Sequence, residues 1–318
     1  MSQKQTLRLA AAFGIGLLIL LYLFWSMGLD NIARLIYKIR PDYFLYAALI
    51  YFFSDILGAY SLKIALKSKL RLRKILPSHM CGMLYSAVTP GRVGYYYTAL
   101  SIAKKTKESR TKNIGILTLM QGIGFFIKVV SCLIAVLYLS ARFVNPGSRD
   151  YLLMASLVPI IFAIIIALIL YTNTFNRALM RIPSLHKPLK HVTNMQHAVK
   201  EVSGGIILQL LLINLIGWFL VGLQWFYLAR SLDLPISYWD AFMIQPLLSA
   251  VMFVPFTPGG LGITEGGSAL LFALMMPQIP PIQASAAGVT FVLLTRLNSI
   301  VVDALGLIDM RIHARTDK

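Results

Sequence analysis

Thr89-Pro90-Gly91-Arg92-Val93-Gly94 recurs 168 residues later as Thr257-Pro258-Gly259-Gly260-Leu261-Gly262. Both copies fit T-P-G-x-[VL]-G, and each interrupts an apolar stretch, 75–103 and 239–276, that is otherwise long enough to cross a bilayer. Proline withholds a helix donor and glycine frees the backbone, so each copy breaks a helix at membrane depth. The repeat extends beyond the break: Lys128 follows Thr89 by 39 residues, and Arg296 follows Thr257 by 39. Interrupted helices in an internal repeat, meeting near the midplane, are a recurring transporter plan.

The composition fits a membrane. Of the 318 residues 58% are hydrophobic and 13% charged, with a mean hydropathy of +0.72. Soluble domains have about 45–50% apolar and about 25% charged residues. Crossing about 30 Å of hydrocarbon takes roughly 20 helical residues. Uninterrupted stretches at about 7–28, 41–62, 113–141, 151–171, 204–229 and 283–309 meet that length. The first lacks a small-residue cleavage site and is too long for a signal peptide, so it reads as a retained span.

A net charge of +18 suggests either a polyanion partner or a sided membrane protein. Its distribution favours the membrane. Twenty-one Lys and Arg lie in the N-terminus, 63–74, 104–112, 172–203 and the C-terminal tail, against six in the remaining loops. The positive-inside rule puts the richer set in the cytoplasm. Segment 75–103 must then enter and leave on the cytoplasmic side, and 239–276 on the other. The expected fold is an all-α polytopic membrane protein with six transmembrane helices and two opposed re-entrant hairpins. It forms an inverted repeat, N-in and C-in. A single membrane domain, 1–318, divides into halves of about 1–141 and 151–310, joined by a cytoplasmic linker at about 172–203. Within it, apolar residues from Leu185 to Val202 recur every three or four positions opposite Lys187, Lys190 and Lys200. This reads as a connector helix or as one lying on the anionic leaflet.

Six ionisable residues in the membrane segments draw attention: Asp55, Arg92, Lys128, Glu265, Arg296 and Asp303. A charge at the bilayer centre costs about 2.5–3.5 kcal/mol on insertion scales, which makes each a functional candidate. Arg92, Lys128 and Arg296, with Glu265, Thr89, Gly91, Thr257, Gly259 and Gly260 at the breaks, form the candidate substrate-binding set. Helix N-termini after the breaks would add amides for a phosphate. Asp55, Glu265 and Asp303 are candidates for coupling, or for ion pairs: Lys128 with Asp55, and Arg296 with Asp303 or Glu265. Tyr95, Tyr96 and Tyr97 read as packing or interfacial aromatics or as substrate contacts. No catalytic residue, cofactor or metal is expected. Cys81 and Cys132 sit in apolar stretches, His186, His191 and His197 lack metal-ligand spacing, and no GxxxxGK[ST] motif occurs.

TPGRVG, FTPGGLGITEGG and a following span with an Arg together resemble the lysylphosphatidylglycerol synthase/flippase transmembrane-domain family. The resemblance covers nearly the whole chain, and P-G-G-L-G-x-x-E is its most specific element. It implies lipid movement across the bilayer, with links to polyprenyl-phosphate sugar pathways, and maps Arg92, Glu265 and Arg296 onto the family's charged motif positions. Tyr95 replaces the acidic residue that many relatives carry after the first motif. The soluble aminoacyl-transferring domain of bifunctional members is missing here, so the chain is not expected to make lysyl-lipid by itself.

The expected function is a flippase or scramblase of the cytoplasmic membrane for an anionic or aminoacylated phospholipid, or a polyprenyl-phosphate-linked lipid. The alternative is an intramembrane enzyme or accessory subunit acting on polyprenyl-phosphate lipids. Expected partners are membrane lipids with anionic headgroups, with a lipid-modifying enzyme or a second copy of the chain as further candidates and no nucleic acid. Single cysteines at Val93 and Leu261 should be reached by impermeant reagents from opposite sides of the membrane; labelling of both from one side contradicts opposed hairpins.

Overall fold

The computed structural model describes residues 3–89, 91–107, 109–141, 202–251 and 257–308, with 150 and 161. Side chains are described from residue 14 on, except 250 and 251. Among these residues the chain is helical and contains no strand. Helix α1 (Gln3–Met27) ends at Gly28, whose φ of 79° suits only glycine well, and the chain turns by 89° into α2 (Leu29–Tyr37). The Asn31 side chain fastens this corner by donating to the Met27 carbonyl at 2.7 Å. Helix α3 (Pro41–Ala65) starts with proline in its first turn, where the missing N–H has no helical partner to lose.

The first interrupted segment follows as α4 (Leu72–Ala87), a 3-10 turn (Val93–Tyr96) and α5 (Tyr97–Thr106). Helix α6 (Arg110–Ser140) starts at Ser109, whose hydroxyl accepts from the Lys112 amide at 3.4 Å. Beyond it come α7 (Gly204–Ser231), then α8 (Tyr238–Val251) and α9 (Ile263–Met275) flanking the second break. Helix α10 (Pro281–Asp303) runs into a final 3-10 turn (Ala304–Leu307).

Four of these helices are long and apolar enough to span a membrane: Pro41–Ala65, Arg110–Ser140, Gly204–Ser231 and Pro281–Leu307. The bent α1–α2 pair adds a fifth candidate. Their positions agree with the stretches expected at 7–28, 41–62, 113–141, 204–229 and 283–309. The expected span at 151–171 and the linker at 172–203 lie outside the described residues. Helix α2 was not anticipated, because the apolar pattern gives no sign of the turn at Gly28.

Outward faces carry large exposed apolar side chains, among them Leu18, Phe53, Phe126, Leu137, Leu208 and Leu297. Water would penalise that surface; hydrocarbon does not. Inside, small residues let helices approach, as is usual between membrane helices. Ala47 packs in a buried cluster with Trp225, Leu228 and Phe291, and Ala59 in another with Ile102, Leu117 and Ile123. Two glycines mark tight crossings: a Cβ on Gly222 would collide with the Phe242 ring, and one on Gly288 with the Ser268 carbonyl. Each interrupted segment also packs against the distant part of the chain. Helix α8 lies on α6, while α4 lies against the final turn and α10.

Gly288→Val should therefore destabilise the protein by about 1–3 kcal/mol, the usual cost of overpacking. Gly266→Ala, with nothing near its added methyl group, should be neutral or stabilise by up to about 1 kcal/mol. Thermal unfolding in detergent checks both.

Candidate functional site

At the first break, Thr89 does most of the repair. Its hydroxyl donates to the Tyr85 carbonyl at 2.9 Å and accepts from the Gly94 amide at 2.8 Å, while its carbonyl accepts from the Arg92 amide at 3.3 Å. Gly91 takes a φ of 60° and Arg92 one of 57°. A left-handed arginine is a modestly strained residue, and it throws the guanidinium back along α4. There Arg92 Nη2 donates to the Ser86 hydroxyl at 3.3 Å.

The second break closes differently. Gly259, Gly260 and Gly262 have φ of 56°, 71° and 83°, so the Gly-Gly-Leu-Gly run is demanded by the turn itself. The buried Thr257 contributes its carbonyl to the Gly260 amide at 3.1 Å. Glu265 then caps α9: its Oε2 accepts from the Gly262 amide at 2.7 Å and lies 2.9 Å from the Thr264 hydroxyl. Its other oxygen, Oε1, accepts from Arg296 Nε at 2.6 Å, and Arg296 Nη2 donates to Thr264. Of the ion pairs the sequence left open, the one with Glu265 forms. It also revises the expectation that the amides after the breaks are available to a phosphate. Gly94 N is held by Thr89, and Gly262 N by Glu265.

The two breaks meet. The Gly259 amide donates to the Thr89 carbonyl at 3.4 Å, and a Cβ on Gly259 would strike the Ala87 carbonyl. Beside this junction is a cavity of about 340 Å³ lined by Arg92, Lys128, Arg296, Gly259, Asp55 and Asp303, among others. Its cations come from three elements: the first break, α6 and α10. Arg92 and Lys128 are close enough to act on each other electrostatically. Of the residues proposed from sequence, Arg92, Lys128, Arg296 and Gly259 reach the cavity wall, as do Asp55 and Asp303. Thr89, Gly91, Thr257 and Gly260 shape the breaks, and Glu265 stands behind Arg296.

Asp55 on α3 and Asp303 on α10 form an acidic wall, each 3% exposed. Asp55 Oδ1 lies 3.6 Å from His79 Nε2, so the basic side chain beside it is His79 rather than Lys128. His79 Nδ1 shares a hydrogen bond of 2.9 Å with the Tyr95 hydroxyl, and Tyr51 donates to Asp303 Oδ2 at 3.2 Å. Sequence reasoning missed His79 and Tyr51. The criterion that found Asp55, an ionisable group within an apolar segment, applies equally to His79. Of the three tyrosines after the first break, Tyr95 is the buried one.

Fold and cavity together define a multi-pass helical membrane protein whose charged residues converge beside two interrupted helices. Residues 9–306 match the family described as the lysylphosphatidylglycerol synthase TM region, and the chain belongs to that family. A UPF0104 membrane protein of Methanocaldococcus jannaschii is 24% identical over 225 residues, 70% of this chain and 92% of that protein. No solved structure matches the chain.

Glu265→Gln removes the fully buried acid from a pair whose Arg296 side chain is 15% exposed, and breaking a largely buried pair costs about 3–5 kcal/mol. Glu265→Gln should therefore lower stability by that order in denaturant titrations. The double variant Glu265→Gln/Arg296→Met should recover much of the loss.

Proposed function

We propose that this chain is a lipid transporter of the cytoplasmic membrane, a flippase or scramblase rather than an enzyme. Its cargo is an anionic or aminoacylated phospholipid, or a polyprenyl-phosphate-linked lipid. The observation that carries this reading is the convergence of Arg92, Lys128 and Arg296, from three separate elements, on one cavity beside the joined breaks. A phosphate crossing hydrocarbon needs replacement for its hydration. Guanidinium forks supply paired, charge-assisted hydrogen bonds that water-excluded surroundings strengthen. Glu265 fixes the direction of Arg296, and the glycine-rich turns let the backbones approach closely enough to close the cavity. Acyl or prenyl tails stay in lipid while the headgroup passes. Membership of a family described by a lysyl-lipid synthase region supports a lipid cargo.

In the full topology we propose, the domain 1–318 has six spans and two opposed re-entrant hairpins, 75–103 and 239–276, with both termini in the cytoplasm. The halves, about 1–141 and 151–310, are inverted repeats. The exchange of contacts between them supports this: α8 packs on α6, and α4 on the end of α10. A two-fold arrangement of this kind allows rocking between inward- and outward-open states around a fixed site. With no P-loop motif in the sequence, movement either equilibrates the lipid or follows an ion gradient. Anionic lipids are the proposed partners, with a lipid-modifying enzyme or a second copy of the chain as further ones.

Reconstitution in liposomes with labelled anionic and polyprenyl-phosphate lipids tests the proposal. Wild-type protein should move at least one of them faster than protein-free liposomes do. Arg92→Gln and Lys128→Gln should each slow it about tenfold or more, since a charged hydrogen bond contributes about 1.5–3 kcal/mol. No acceleration for any lipid removes the transport reading, and product formation by the solubilised protein would then favour an enzyme.

A further inference from the structure

The acidic wall has a chemistry of its own. Asp55 and Asp303 belong to different helices, α3 and α10, yet their carboxyl groups come within hydrogen-bonding reach of each other. Each keeps one oxygen, Asp55 Oδ2 and Asp303 Oδ1, buried without a hydrogen-bond partner. Two ionised carboxylates in that contact would repel, and both buried oxygens would stay unsatisfied. A proton between them supplies the missing donor and removes the repulsion together.

The groups around the pair are Tyr51 on α3, His79 on α4, and Arg92 and Tyr95 at the first break, with Lys128 on α6 and Arg296 on α10 lining the same cavity. Tyr51 holds Asp303, and Tyr95 holds His79, by hydrogen bonds. Arg92 acts electrostatically on Tyr51, His79 and Tyr95 beside the acids and on Lys128. Glu265 is a weaker candidate for the same role, because both its oxygens are already engaged by Arg296, Gly262 and Thr264.

We propose that the Asp55–Asp303 pair is a proton site whose occupancy is linked to the anion held by the cationic wall. The linkage follows from charge. With the cavity empty, Arg92 and Lys128 favour an ionised pair. A phosphate drawn to those cations cancels their field and adds its own negative charge, so the pair binds its proton more tightly. Anion and proton then enter together, and a pH gradient gives the lipid a direction. The inference rests on the lipid-transport function proposed for the same cavity.

Infrared spectroscopy of the purified protein, with and without short-chain phosphatidylglycerol, tests the site independently of transport. Wild-type protein should show a buried protonated-carboxyl band that is lost in Asp55→Asn and in Asp303→Asn and kept in Glu265→Gln/Arg296→Met. The pH at which the band disappears should rise on adding the lipid. Asp303→Glu, which restores an acid, should restore the band and guards against loss through misfolding. A missing band, a band indifferent to both Asn substitutions, one that sodium ions abolish, or one whose pH dependence ignores the lipid overturns the proposal. In liposomes, an imposed pH gradient should accelerate lipid movement several-fold in the wild type and leave Asp303→Asn unaffected. Lipid movement indifferent to the gradient overturns the coupling while transport stands. A band that behaves as expected in a protein moving no lipid keeps the proton site and removes the transport function.

Discussion

Backbone that cannot pair with itself inside a membrane must be paired by something else, and in this chain two interrupted segments are joined directly. The Gly259 amide donates to the Thr89 carbonyl, with Ala87 packed against Gly259. Open peptide groups are tolerated at membrane depth only when buried in protein or lining a wet cavity, and this junction buries them against each other. Much of the cavity follows from it. Arg92 is placed by the turn that Thr89 closes, Arg296 by the acid that caps α9, and Lys128 by the helix on which α8 packs.

The two breaks share a motif but are finished with different chemistry. A threonine hydroxyl closes the first and leaves Arg92 pointing along α4. The second is closed by Glu265, which also neutralises Arg296. The repeat thus places two cations, Lys128 and Arg296, at equal offsets from the breaks, and only the second half supplies a capping acid. A cavity lined by Arg92, Lys128 and Arg296 together with Asp55 and Asp303 has the ingredients for binding an anion and a proton together.

Much of the fold was legible in the sequence, because membrane helices announce themselves by length and hydropathy and the breaks by proline and glycine. The limits of α3, α6, α7 and α10 fall within a few residues of expectation for that reason. The turn at Gly28 was not legible: Leu29 continues the apolar pattern, and one glycine within it does not say which way the chain goes. Contact between Thr89 and Gly259 is tertiary, and no local signal carries it. Glu265 was visible as a charge but not as a cap, since its N-cap residue is Gly262 and the Ser or Thr that usually marks a capping box is absent. His79 was overlooked because the inventory of membrane-embedded ionisable groups held carboxylates, lysine and arginines, although it stands in an equally apolar segment. The pairing of Asp55 with Asp303 needed the crossing of α3 and α10 to bring the residues together.

The central claim is that the cationic wall beside the two joined breaks holds a phosphate headgroup. The most direct measurement is a high-resolution structure determined in a bilayer of anionic lipid. Headgroup density should then lie in the cavity, in contact with Arg92 and Lys128 and adjacent to Arg296. Anionic lipid found only around the perimeter, with these side chains turned to one another's acids and the cavity closed, would contradict it.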